Sequence, residues 1–159
     1  MKYSDYRQNI KTGDLIAFSH NALGSKIIKL FTRSKYTHVA IAYRIADRVM
    51  IFESTIPRVR LFPLSKMGDF YHLSVGRDLS PTAEEFAFSR LGEWYSISEC
   101  IRGFFSKANN NNMKWQCAEF GKQILRANAF RLSRKDTPSS AVQEMELQLN
   151  RPGVWVTNP

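Results

Sequence analysis

Cysteine is scarce in this chain: Cys100 and Cys117 are the only two among 159 residues. Two cysteines cannot make a disulfide framework, and neither stands in a CxxC or Cys/His spacing that would hold zinc. A reducing compartment is expected, with no metal or other cofactor. Long apolar runs are also missing. None approaches the roughly 18 residues of a membrane span, and the polar stretch from Met1 to Ile10 lacks the apolar core of a signal peptide. The chain is therefore expected to be cytoplasmic as synthesised, with any outside target needing another export route, such as lysis or injection. Acidic residues are few, 14 against 23 Lys and Arg, for a net charge of +9. Such a balance favours an anionic partner: nucleic acid, an anionic lipid surface or an acidic polymer. No basic run is interleaved with aromatics in the way that tracks a nucleic-acid strand, so no nucleic-acid partner is expected.

What is present is a core. Hydrophobic residues make up 43% and aromatics 13%, and no internal repeat is visible. The length fits a single domain over residues 1–159. Gly13-Asp14 breaks the start, and Leu15 to Phe18 reads as a short buried strand. Gly24 to Arg33 reads as a short basic amphipathic helix, either docked on the core or lying on a membrane surface. Tyr36 to Tyr43 reads as a strand. After a turn at Asp47-Arg48, Val49 to Ser54 reads as its antiparallel neighbour. Pro57 bends the chain, and Val59 to Leu64 and Tyr71 to Arg77 give two more strands. Ser80-Pro81-Thr82 opens a helix through Leu91, ended by Gly92. Tyr95 to Phe105 reads as helical or mixed, with Cys100 as core. A polar run with four asparagines, Asn109 to Asn112, reads as loop. Thr137-Pro138 caps a last helix to about Leu149, and Val154-Trp155-Val156 closes as a strand or plug. Short strands mixed with helices make the fold class α+β.

Two stretches carry chemistry. After the asparagine loop, Cys117, Phe120, Gly121, Ile124 and Leu125 recur at helical spacing, which places Cys117 at a helix N-terminus on the buried face. Unpaired N–H groups there carry roughly half a positive charge. A thiolate at that spot is stabilised below the pKa of about 8.5 of free Cys, and the same N–H groups can hold an oxyanion. The competing reading is a structural core cysteine.

The second stretch is the strand pair. Period 2 sets His38, Ala40 and Ala42 on one face, against Val39, Ile41 and Tyr43 on the other. The small residues beside His38 leave room for a close-packed helix, so the Cys117 helix is expected on that face. A hairpin turning near Ala46-Asp47 brings His38 and Glu53 to the same open end, where a carboxylate can orient an imidazole. Each also has a plain structural reading. His72, with Ser74 and Gly76 on its face, is a rival for the third position or simply an exposed strand histidine.

These residues carry a resemblance. Gly13-Asp14-Leu15-Ile16, Thr37-His38-Val39-Ala40-Ile41, Phe52-Glu53, Gly92-Glu93-Trp94-Tyr95 and Gln116-Cys117-Ala118-Glu119-Phe120 look, in that order, like the permuted papain-like hydrolases. These are circularly permuted relatives of the NlpC-type cell-wall peptidases, and they include the YiiX-like and lecithin:retinol acyltransferase-like groups. The resemblance runs from about Gly13 to Phe130, with the His strand ahead of the Cys helix as in the permuted members.

What the resemblance implies is a small antiparallel sheet packed against a helix bearing a nucleophilic Cys117. His38 would be its base, Glu53 the orienting residue, and Tyr95 a lining residue of the substrate pocket. The reaction would be acyl transfer through a thioester. Glu119 matches a family position, or is merely a first-turn acid. Ala118 departs from the pattern, which more often has Ser. The substrate would be an amide or peptide bond, peptidoglycan included. The alternatives are a lipid-directed thioesterase, phospholipase or acyltransferase of the same fold, for which an acyl-lipid would be the substrate, and a binding module without catalysis.

Overall fold

A computed structural model describes residues 1–19, 35–94, 115–134 and 137–158. The Gly24–Arg33 segment, Tyr95, Cys100, the Tyr95–Phe105 segment and the asparagine run lie outside the described residues. The chain opens with α1 (Tyr3–Tyr6) and a 3-10 turn at Arg7–Asn9. Then come β1 (Leu15–Phe18), β2 (His38–Ile45), β3 (Arg48–Ser54), β4 (Val59–Pro63) and β5 (Phe70–Leu73). Among the described residues three helices follow, α2 (Pro81–Ser89), α3 (Trp115–Ala127) and α4 (Pro138–Leu149), before β6 (Val154–Val156). The class is α+β. The six strands form one sheet in the order β4-β3-β2-β1-β5-β6, with every neighbour antiparallel.

The hairpin forms where the sequence places it. Ala46 takes a φ of 50° between β2 and β3, and the register runs from Ile45↔Arg48 to Ile41↔Phe52. Tyr36 and Thr37 lie outside β2, however, and β5 stops at Leu73 rather than Arg77. Before β1, Gly13 has a φ of 93°, and a Cβ there would meet the Arg77 carbonyl at 2.9 Å, so only glycine fits.

Alternation along the strands gives the sheet two apolar faces. One face presents Leu15, Ala17, Val39, Ile41, Phe52, Tyr71 and Leu73 to Ala83, Ala87, Phe120, Ile124, Leu125, Val142 and Met145 of the three long helices. The other face gathers Ile16, Phe18, Ala40, Ala42, Ile51 and Phe70 under Tyr3 and Leu64. This corrects the expected docking of the cysteine helix: α3 packs on the Val39–Ile41 face, with Gly121 beside Val39, not on the Ala40–Ala42 face. Alternation fixes which residues share a face. It does not say which of two apolar faces a distant helix will take.

The caps match the sequence signals. Ser80 Oγ accepts from the Ala83 N–H, and Thr137 and Ser140 form a capping box. Between α3 and α4, Lys122 is fully buried and its ammonium meets Glu144 at 2.8 Å. Among the described residues no helix is long and apolar enough to cross a membrane.

Candidate active site

Cys117 is the third residue of α3, in the first turn, where the backbone N–H groups have no intrahelical acceptor. Its side chain is half-buried. The sulfur takes hydrogen bonds from His38 and from the backbone N–H groups of Val39 and Ala118. Burial by itself would raise the thiol pKa. The His38 hydrogen bond and charge, with the two N–H donors, outweigh burial and hold it below the ordinary value.

His38 is the first residue of β2. The chain is anchored just before it, since the Thr37 N–H donates to the Phe18 carbonyl at 2.8 Å. The imidazole is pinned from three sides. Its Nε2 meets Glu53 Oε2 at 2.7 Å, which leaves Nδ1 for Cys117. The Phe18 ring stacks on one face, with centroids 5.7 Å apart. Burial would lower the imidazole pKa, but the hydrogen bonds and charges of Cys117 and Glu53 overcome this and push it up to about 10. The lowered thiol and raised imidazole both draw the pair toward thiolate and imidazolium.

Glu53 is buried, at 1% exposure. It sits one residue from the end of β3, at the same open end of the hairpin as His38, as the hairpin geometry predicts. Its second oxygen, Oε1, accepts from Arg60 Nε at 2.7 Å and faces Arg60 Nη2 at 2.7 Å. Burial would raise its pKa, and the hydrogen bonds and charges of His38 and Arg60 reverse this and hold it below the ordinary carboxylate value. The sequence reading did not name Arg60. The available signal was register: with β4 antiparallel to β3, Glu53 and Arg60 are direct partners.

His72 is neither an exposed strand histidine nor part of this cluster. It is 1% exposed, with Nδ1 2.9 Å from the Tyr6 hydroxyl and Nε2 2.8 Å from Asp14 Oδ2. Asp14 in turn accepts from the N–H groups of Lys11 and Val75. Both ring nitrogens are thus committed to a buried clamp joining the N-terminal turn, the entry to β1 and β5. Glu119 is the fifth residue of α3, past the first turn, and accepts from Gln123. Ala118 is fully buried, so a Ser there would have to hide its hydroxyl.

No protein-family model matches the chain, and no curated protein does. Among solved structures the fold is similar to that of metalloprotein yiiX from Escherichia coli O157:H7, DUF1105, with a TM-score of 0.57 at 20% identity. That likeness covers 94% of this chain and 89% of the other. It is a likeness of fold.

Proposed function

We propose that this protein is a cysteine hydrolase that opens an amide or peptide bond through a thioester on Cys117. The observation that carries this reading is the run of contacts from the Cys117 sulfur through the His38 imidazole to the buried Glu53 carboxylate. The thiolate attacks the carbonyl carbon, and the carbonyl electrons move onto oxygen. Backbone N–H groups in the first turn of α3, that of Cys117 among them, receive the oxyanion. His38 gives its proton to the departing amine, and the thioester remains. A water then loses a proton to His38 and adds to the thioester. Collapse returns the thiolate and releases the acid, with His38 protonated again. Glu53 holds the ring in the tautomer and orientation that both halves need.

The yiiX neighbour is described as a metalloprotein. The donor set here does not fit a metal ion. Both nitrogens of His38 are taken by Glu53 and Cys117, and Glu53 is shared with a guanidinium that repels a cation. No cluster of three or more His, Cys, Asp or Glu that could hold a metal occurs among the described residues. As substrate, a peptide within an acidic polymer such as peptidoglycan suits the net charge of +9.

The deciding experiment is iodoacetamide alkylation of each cysteine from pH 4 to 10, read by mass spectrometry, alongside turnover of peptide and peptidoglycan substrates. Cys117 should react well below the ordinary thiol pKa of 9.0, and Cys117→Ala should lose all turnover. A Cys117 that stays silent until the ordinary thiol range would instead favour a binding module.

A further inference from the structure

The contacts do not stop at Glu53. Arg60 stands on β4, directly opposite Glu53 in the ladder, and points Nε and one terminal nitrogen at the same carboxylate oxygen. Its guanidinium is itself fixed: the carbon at its centre lies 4.1 Å above the ring of Phe62, two residues along the strand. Arginine prefers such a stacked, forked arrangement because its planar group is preorganised and weakly hydrated. We infer that Arg60 is a positioning residue for the proposed reaction, a fourth member of the line Cys117–His38–Glu53–Arg60. Its work is to keep Glu53 ionised, with Oε2 turned to the imidazole.

The role is one of proton placement. Glu53 is almost wholly removed from water, and a carboxylate in that state tends to take up a proton. The charged groups that face it are His38 from β2 and Arg60 from β4, with Cys117 on α3 beyond the imidazole. If Glu53 were neutral, the imidazolium would lose its anion and the thiolate would lose its cation. Arg60 is the one of these partners with a guanidinium, a group that stays charged in proteins. It also occupies Oε1, which leaves Oε2 as the oxygen for His38. Leu61 and Val59 beside it pack against the helix-side core, so β4 is held in place independently of the guanidinium.

This inference rests on the cysteine-hydrolase reading, and its test separates the two. The Arg60 side chain is 46% exposed, so Arg60→Gln and Arg60→Lys should both fold. In the Cys117→Ala background, carbon-detected NMR of the Glu53 carboxyl should show titration below the ordinary glutamate range. Arg60→Gln should raise that midpoint by about one pH unit or more, the scale on which an adjacent cation acts on a carboxylate. Arg60→Lys should restore most of it. With Cys117 present, the acidic limb of the alkylation profile should move up in Arg60→Gln and stay near wild type in Arg60→Lys, while a merely structural role would lower the amount of folded protein without moving the limb. A Glu53 midpoint that ignores Arg60→Gln overturns the inference whatever Cys117 does. A Glu53 midpoint that moves while wild-type Cys117 titrates as an ordinary thiol overturns the hydrolase reading, and with it the positioning role.

Discussion

Phe18 and His38 are register partners across β1 and β2, and the Phe18 ring lies nearly parallel to the imidazole, at 29°. A core residue of one sheet face thus doubles as a brace for the group that would carry the proton. Phe18→Leu keeps an apolar filler but removes the flat brace. It should cost less stability than the about 3–5 kcal/mol of a Phe→Ala change. The thiolate should nonetheless weaken, with the Cys117 alkylation midpoint moving toward the ordinary thiol value. An unmoved midpoint in a folded variant would show that the stacking is packing alone.

The three proposed site residues should rank by role. Cys117→Ala and His38→Ala should each abolish turnover, and His38→Ala should also raise the thiol pKa. Glu53→Gln should cost less than either, because it keeps a side chain of the same shape next to the ring. Steady-state rates on one peptide substrate give the ranking, and a Glu53→Gln loss as deep as that of Cys117→Ala would break it.

Stability against pH carries its own signature. Glu53 is depressed in the folded chain, so its contribution is present above the ordinary value of 4.5 and is lost as pH falls through the folded value. His38 is raised to about 10 from 6.5, so its contribution is full below 6.5 and is lost as pH rises through about 10. Cys117 is depressed from 9.0, and acts in the opposite direction. Just below 9.0 the two groups therefore oppose each other, His38 losing stability with rising pH and Cys117 gaining it. The Cys117 hydrogen bond is also the strongest influence raising the imidazole, ahead of Glu53. Cys117→Ala should therefore lower the His38 midpoint, followed by NMR of the ring, and an unmoved midpoint would break the pairing.

The buried clamp of Asp14 and His72 should behave as structure rather than chemistry. Leaving buried hydrogen-bonding groups unsatisfied costs about 1–3 kcal/mol each, and Asp14 holds the His72 ring and two backbone N–H groups. Asp14→Ala should show a loss on that scale by urea unfolding, while Cys117 in the folded fraction keeps the alkylation profile of wild type. A shifted profile would mean that the clamp reaches the site through β1.

What was legible in the sequence was local. The hairpin from His38 to Ser54, the caps at Ser80 and Thr137, and the amphipathic stripe from Cys117 to Leu125 are each encoded within at most 17 neighbouring residues. The meeting of His38 and Glu53 followed from one turn and a period of two. What escaped was long-range. His72 pairs with Asp14 across 58 positions, and nothing near either residue announces the other. The docking face of α3 depends on distant residues, Tyr3 and Leu64 among them, that pack on the opposite face of the sheet. Arg60 reads as an ordinary basic residue of an edge strand until the register sets it opposite Glu53.

The segments around Tyr3 and Thr157 also meet. Lys2 bridges Thr157, the Tyr3 N–H donates to the Thr157 carbonyl at 2.8 Å, and the Thr157 N–H donates to the Met1 carbonyl at 2.8 Å. Each segment therefore holds the other in place, and neither can peel from the sheet alone. They form one cooperative unit, and their amides should exchange hydrogen with solvent together.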